Sequence, residues 1–118
     1  MPASQQKWQA IAIVYASEER YEDLIDYLRR ANSIELLAQF DHLLLPRYQE
    51  EVGQLYRILL LQYLKNHIGY RPSRRIRELL EHLAQVGAPE LAASLIALFK
   101  ASYPERQSLM EELKSYGR

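Results

Sequence analysis

The sequence predicts an all-α protein of about seven helices, joined by short connections and packed as antiparallel pairs. Glycine and proline are few, at four and five of 118 residues, and leucine and alanine are frequent, which favours helix over sheet. Apolar residues also recur three and four positions apart along most of the chain. The sequence has no clean alternating apolar run and no Asn-Gly or Asp-Gly hairpin turn, so no strand is predicted. The pairs should therefore form a short α-solenoid or an irregular helical bundle.

The first predicted pair covers residues 5–16 and 18–31. Each helix has one apolar stripe, which should face the other helix. Ser17 is placed to cap the second helix, because its hydroxyl can accept a hydrogen bond from a first-turn amide. The stripes consist of Trp8, Ile11, Ala12 and Tyr15 in the first helix, and of Tyr21, Leu24, Ile25 and Leu28 in the second.

The second predicted pair covers residues 34–44 and 47–67. Asn32-Ser33 is expected to end the helix before this pair and to cap its first helix. Pro46 separates its two helices, because proline has no amide hydrogen and disrupts a helix interior. The longer helix is apolar on nearly every side in its second half, which is typical of a helix covered on several faces. Gly69 is expected to end it, since glycine adopts a positive φ at little cost.

Three further helices complete the prediction. The fifth spans residues 73–86 and ends at Gly87. Pro89 begins the sixth and Pro104 opens the last, both at the first-turn position that proline favours. The inward residues are Ile76, Leu79, Leu80 and Leu83 in the fifth helix, Leu91, Leu95, Leu98 and Phe99 in the sixth, and Leu109, Met110, Leu113 and Tyr116 in the last.

The chain is predicted to be one helical-repeat domain over residues 1–118, because no linker or low-complexity segment divides it. Its first helix pair resembles part of the tetratricopeptide repeat (TPR). The Trp-x2-Leu-Gly-x2-Tyr spacing of that repeat falls on Trp8, Ile11, Ala12 and Tyr15, although the later pairs do not repeat these residues. The resemblance implies a TPR-like solenoid, with an irregular bundle as the alternative.

Composition excludes several classes of protein. The chain contains no cysteine, which excludes disulfides and thiolate zinc sites. No apolar run reaches the roughly 18 residues that a membrane span needs, and the first residues lack the basic and apolar regions of a secretory signal. These features are compatible with the reducing cytoplasm, which is the predicted location.

No catalytic pattern is present, so the sequence predicts no enzyme, no cofactor and no small-molecule substrate. No serine lies in a Gly-x-Ser-x-Gly turn, and the four glycines are isolated rather than grouped in a phosphate-binding loop. His42, His67 and His82 fall on three different predicted helices. We therefore expect no metal site, and surface or helix-end positions are the simpler interpretation.

A basic zone interrupts a chain whose formal net charge is zero. Residues 52–77 carry six basic residues and no acid, whereas residues 1–51 carry nine acids and five bases. The zone, which begins at Arg57, brings arginines and tyrosines together around one helix–helix turn. The candidate partner-binding residues there are Tyr63, Tyr70, Arg71, Arg74 and Arg75.

Three interpretations of this zone remain open. Arg74 and Arg77 each precede a glutamate, Glu78 or Glu81, by four residues, so both can form ion pairs within one helix. Arginine and aromatic side chains at a helix start can instead bind phosphate and stack on bases. An acidic protein partner is the third interpretation.

From Tyr21 onward the chain resembles the helical C-terminal region of bacterial SWIM-type zinc-finger proteins. The zinc-binding Cys-x-Cys…Cys-x-His segment of that family is absent, and Gln107 stands where the family usually has proline. The resemblance therefore implies a helical accessory module and carries over no metal or DNA function. The matching motifs are Tyr21-Glu-Asp-Leu24, Asn32-Ser33-Ile34-Glu-Leu-Leu37, Pro46-Arg-Tyr48, Leu55-Tyr56, Tyr63-Leu64, Arg74-Arg75-Ile76 with Leu79-Leu80, and Tyr103-Pro104-Glu105-Arg106-Gln107-Ser108-Leu109-Met110-Glu111-Glu112-Leu113.

These observations predict a non-catalytic helical-repeat module that binds another protein. The first alternative is a nucleic-acid-binding accessory domain that uses residues 57–77, which predicts steep salt dependence. The second alternative is a structural, self-associating domain, for which a large exposed apolar patch would be the sign.

Overall fold

The computed structural model describes residues 3–117, and every regular element in that range is an α-helix. The all-α prediction is therefore confirmed for this part of the chain. The helices are α1 (Ala3–Ser17), α2 (Tyr21–Ala31), α3 (Ile34–Asn66), α4 (Tyr70–Gln85), α5 (Pro89–Ser102) and α6 (Gln107–Ser115). None of these helices is both long enough and apolar enough to cross a membrane.

The chain forms two compact units, Met1–Leu59 and Leu60–Arg118, and the boundary between them lies inside α3. In the first unit α1 packs against α2, as the first predicted pair requires. The rings of Trp8 and Tyr27 lie 4.6 Å apart at this contact. The core of the first unit consists of Ala12, Leu24, Ile25, Tyr27, Leu28, Leu36, Leu37, Phe40, Leu44, Leu45, Val52, Leu55, Tyr56 and Leu59.

The described residues form six helices, where the sequence predicted about seven. The difference lies in α3, where the expected third and fourth helices follow each other without a connection and are separated only by a kink. Pro46 lies inside this helix, and Tyr48, two residues later, has the non-helical angles φ −121° and ψ 40°. Proline removes one backbone hydrogen bond and crowds the carbonyl four residues earlier, which bends a helix without having to end it.

A buried hydrogen bond shows that the two parts of α3 fold towards each other at this kink. The Tyr56 hydroxyl donates to Oδ2 of Asp41 over 2.7 Å, and both residues are fully buried. In a straight helix, residues 15 positions apart would lie roughly 22 Å apart along the axis. The bond is therefore possible only because the helix bends sharply between the two residues.

In the second unit α4 packs against both α5 and α6. The α4–α5 contact agrees with the predicted pairing of the fifth and sixth helices. The core of this unit is formed by Leu60, Leu64, Ile76, Leu80, Leu83, Ala88, Ala92, Leu95, Phe99, Leu109 and Leu113.

The helix-start predictions were right at one position and wrong at another. The Ser33 hydroxyl accepts a hydrogen bond from the Leu36 amide over 3.1 Å, and Asn32 ends α2 in the left-handed conformation at φ 53°, so the Asn32-Ser33 prediction is confirmed. Ser17 does not cap α2. It is the last residue of α1, and α2 begins four residues later, after Arg20, with no side-chain cap.

Two further helix starts differ from the prediction. Gly69, at φ 117°, does not end α3, because that helix already ends at Asn66. Gly69 stands directly before α4, and this helix begins at Tyr70 instead of Ser73. Pro104 lies in a turn and α6 begins three residues later, at Gln107. By contrast, α5 begins at Pro89 as predicted.

Candidate interaction surface at the start of helix α4

All five predicted partner-binding residues lie in the second unit, at the end of α3 and the start of α4. Tyr63 lies in the last turns of α3. Tyr70, Arg71, Arg74 and Arg75 occupy the first two turns of α4, which follow a three-residue connection. The short connection therefore brings these five residues into one region.

Tyr63 and Arg75 contact each other and contribute to packing. The Arg75 guanidinium carbon lies 5.3 Å from the centre of the half-buried Tyr63 ring, a distance at which the cation is attracted to the ring face. The His67 ring lies 4.3 Å from the same ring, and His67 Nδ1 is 2.9 Å from the Tyr63 carbonyl oxygen. The Tyr63 ring is thus already in contact with two side chains of its own unit.

Tyr70 exposes its ring and has its hydroxyl bound to α6. The residue is 58% exposed, and its hydroxyl donates to Oε2 of Glu111 over 3.0 Å. The hydrogen bond to Glu111, together with the charge of that carboxylate, raises the pKa of the Tyr70 hydroxyl above its usual value. The ring is therefore held in position while much of its surface stays in contact with water.

Arg77 joins α4 to α6 through ion pairs. Its Nε lies 2.7 Å from Oε1 of Glu112, and its Nη1 lies 3.1 Å from Oε1 of Glu81. The hydrogen bond to Glu112 is the largest cause of the raised pKa of Arg77. The ion pair of Arg77 with Glu81 is present as the sequence allowed. The second partner, Glu112, belongs to α6, and the spacing of residues within α4 could not have predicted it.

Arg71 and Arg74 are exposed at the start of α4. Within residues 3–117, the ion pairs of α4 do not include either of them, so the expected pair of Arg74 with Glu78 does not form. An arginine that precedes a glutamate by four residues is the less favourable order in a helix, and an exposed pair of this kind contributes little stability. The basic residues of α4 thus separate into Arg75 and Arg77, which hold the fold, and two cations directed at solvent.

Sequence reasoning missed one exposed residue of this region. Ile68, in the connection before α4, is 75% exposed, the largest value among the exposed large hydrophobic residues of the described chain. It belongs to no apolar stripe, so periodicity could not indicate its role. Lys65, at the end of α3, is also exposed. We use the name α4 patch for the exposed residues Lys65, Ile68, Tyr70, Arg71 and Arg74.

Two further arginines lie outside the α4 patch. Arg57 belongs to the first unit. Arg106, which is not among the predicted partner-binding residues, donates from Nη1 to the carbonyl oxygen of Leu64 at the end of α3 and lies over the Tyr103 ring at 4.2 Å. An arginine that binds a late helical carbonyl stabilises the helix end.

No candidate metal site competes with the α4 patch in the described part of the chain. Among residues 3–117 no group of three or more His, Asp or Glu residues is arranged to hold a metal ion. An open groove of about 260 Å³ lies in the first unit and is lined by Lys7, Trp8, Ile11 and Tyr27. Two of its four lining residues, Trp8 and Tyr27, form the ring contact between α1 and α2.

No family model, curated protein or solved structure matches the chain. The function is therefore inferred from the geometry and chemistry of the described residues.

Proposed function

We propose that the protein is a non-catalytic helical module that binds another protein through the α4 patch. The observation that carries this proposal is the exposure of Ile68 and Tyr70 within a few residues of the exposed Lys65, Arg71 and Arg74. Single exposed hydrophobic residues are normal on protein surfaces. Tyrosine and arginine are, however, among the residues that dominate binding energy in protein interfaces, and Ile68 adds exposed apolar area to them.

Two further features support this function. The helix pairs α1 with α2 and α4 with α5 are the building blocks of a helical repeat, and stacked repeats present extended binding surfaces. The resemblance to the helical region of SWIM-type proteins implies an accessory module. Both features agree with a TPR-like scaffold that has no chemistry of its own.

The test is a pull-down from nuclease-treated lysate with the tagged full chain and two double variants. Arg71→Glu with Arg74→Glu reverses two charges of the α4 patch. Lys100→Glu with Lys114→Glu makes the same charge change at exposed positions of α5 and α6. We expect the wild type and the lysine variant to capture a defined protein that the arginine variant loses. The reason is that arginines near the centre of an interface contribute strongly to binding.

The other outcomes separate the alternatives. Recovery of nucleic acid alone, with loss of every protein after nuclease treatment, would instead favour the nucleic-acid-binding domain. Capture of the same proteins by all three chains would contradict the α4 patch as the binding surface. Circular dichroism of each variant checks that the helices remain folded.

Self-association is the second candidate function, because α1 has an exposed apolar face. Ile13 and Val14 are 47% and 51% exposed, and Ala10, one turn earlier, is exposed as well. Lys7 is the one charged residue of α1. Terminal helices of a repeat stack normally present a polar outer face to remain soluble, so an apolar outer face favours contact with a second chain.

For this candidate, the weight-average mass in sedimentation equilibrium should rise towards twice the monomer mass as protein concentration increases. Ile13→Lys with Val14→Lys should keep the chain monomeric, because two buried charges would oppose the contact. Gln54→Lys, at an exposed polar position, is the control. A wild type that stays monomeric at millimolar concentration would exclude self-association through this face.

A further inference from the structure

We propose that the ligand of the α4 patch is a short acidic peptide segment of a partner protein, with a large apolar side chain next to its carboxylates. This inference rests on the proposed function and specifies the partner of the same surface. It follows from the charge of the patch, its apolar part and the acids that border it.

The charge of the patch favours carboxylates. Lys65, Arg71 and Arg74 are exposed, and no ion pair within residues 3–117 joins them to an acid. Arg71 and Arg74 are three positions apart in α4, which places them as neighbours on the helix surface. Arginine binds carboxylate through two parallel hydrogen bonds, so this pair suits one or two acidic side chains.

The start of α4 adds to this attraction. Gly69 precedes the helix and provides no side-chain cap, and the first-turn amides of Tyr70 and Arg71 have no acceptor within the helix. A helix start carries partial positive charge from such amides. The charge of the two arginines and that of the helix end therefore have the same sign and lie within the same two turns.

The apolar part of the patch requires more than a charged ligand. Ile68 lies between Lys65 and Arg71 in the chain and exposes three quarters of its surface. The exposed ring of Tyr70 is held in place through its hydroxyl bond to Glu111, so ordering it again on binding costs little entropy. A leucine, isoleucine or aromatic side chain of a peptide would cover this apolar surface while an adjacent carboxylate reaches the arginines.

Acidic residues beside the patch disfavour a nucleic acid. Glu111 lies at the Tyr70 hydroxyl, and Glu112 and Glu81 lie at Arg77. A phosphate backbone, which is charged at every nucleotide, would meet these carboxylates if it crossed α4 towards α6, whereas a short peptide can keep its acidic side chains at Arg71 and Arg74. The three cations of the patch also offer few phosphate contacts, and affinity for nucleic acids grows with their number. Tyr63, the other ring predicted to stack on bases, already contacts Arg75 and His67.

Selection from a display library of random 16-residue peptides tests the inference, with the full chain immobilised as the target. We expect the selected peptides to be enriched in Asp and Glu directly beside a large apolar residue. The affinity of the best peptide, measured by fluorescence anisotropy, should fall about tenfold or more in Arg71→Glu with Arg74→Glu, because its carboxylates then meet like charges. It should fall several-fold in Ile68→Ser and remain unchanged in Lys100→Glu with Lys114→Glu.

Each contrary result has its own meaning. An absence of selected peptides, or selected peptides without acidic enrichment, would overturn the acidic peptide. The proposed function would still stand if the pull-down yields a protein whose capture depends on Arg71 and Arg74. Acidic peptides that bind equally to all variants would show that they use another surface and would also overturn the inference. A labelled oligo-dT that binds more tightly than the best peptide, and loses binding in the arginine variant, would overturn both the inference and the proposed function.

Discussion

Replacing Leu80 with alanine is expected to lower the free energy of unfolding by about 3 kcal/mol, within the range for a fully buried leucine. Leu80 is completely buried on the helix that packs against both α5 and α6. Alanine would leave a cavity between helices that cannot close up without moving one of them. A loss of this size is a large share of the roughly 5–15 kcal/mol that a domain has available.

The neighbouring residue is the control for this prediction. Leu79 belongs to the same apolar stripe but remains partly exposed, so Leu79→Ala should cost less than half as much as Leu80→Ala. Urea unfolding followed by circular dichroism at 222 nm measures both differences, with the slope of each transition checked for two-state behaviour. Equal losses at the two positions would contradict the full burial of Leu80 and the partial exposure of Leu79.

These two leucines show how far periodicity determines the fold. The spacing of Ile76, Leu79, Leu80 and Leu83 correctly identified the buried side of α4, since three of the four are fully buried. Periodicity defines the direction of a helix face but not its centre. Which residue lies at the centre depends on where α5 and α6 pack, and no local pattern contains that information.

The errors in the predicted helix boundaries have a similar cause. Ser17 and Pro104 are residues that often begin helices, but each lies a few residues before the helix it was expected to start. Asn32 was identified correctly, because asparagine tolerates the left-handed conformation that ends α2. A local preference predicts a boundary correctly only where the packing of the adjacent helices requires the same boundary.

The candidate surface was predictable only in part. The run of basic residues identified Arg71 and Arg74, and the structure exposes both. The partners of Tyr70 and Arg77 on α6 are 41 and 35 residues away in sequence, and a single sequence provides no means of finding such contacts. The exposure of Ile68 was not predicted because a lone isoleucine near a helix end has no sequence pattern that distinguishes it from a core residue.

The second large effect is expected at the kink of α3. Tyr56→Phe should lower the free energy of unfolding by about 2 kcal/mol, because the buried Asp41 carboxylate loses a hydrogen-bond donor that water cannot replace. The ring itself is retained, so the packing changes little. Tyr48→Phe, at the partly exposed kink residue, is the control and should change stability by a few tenths of a kcal/mol.

The pH dependence of unfolding separates this interaction from a loss of packing. Burial raises the pKa of the Tyr56 hydroxyl far above its ordinary value, and the charge of Asp41 and the hydrogen bond to it act in the same direction. Above the ordinary tyrosine pKa of about 10 the unfolded chain releases this proton while the folded chain retains it, so stability falls by up to about 1.4 kcal/mol per pH unit. Below that pH the contribution of the protonated Tyr56 hydroxyl to stability is fully present.

The Tyr56→Phe variant lacks this titrating hydroxyl. Its free energy of unfolding should therefore fall less steeply than that of the wild type between about pH 10 and 11.5. The two stability curves should therefore converge as the pH rises, although the variant is the less stable chain at neutral pH. Tyr27 also has a pKa raised by burial and keeps its contribution in both chains, so the comparison isolates Tyr56. Parallel curves would mean that the Tyr56 hydroxyl is accessible to water, and the sharp bend of α3 inferred from its bond to Asp41 would then have to be abandoned.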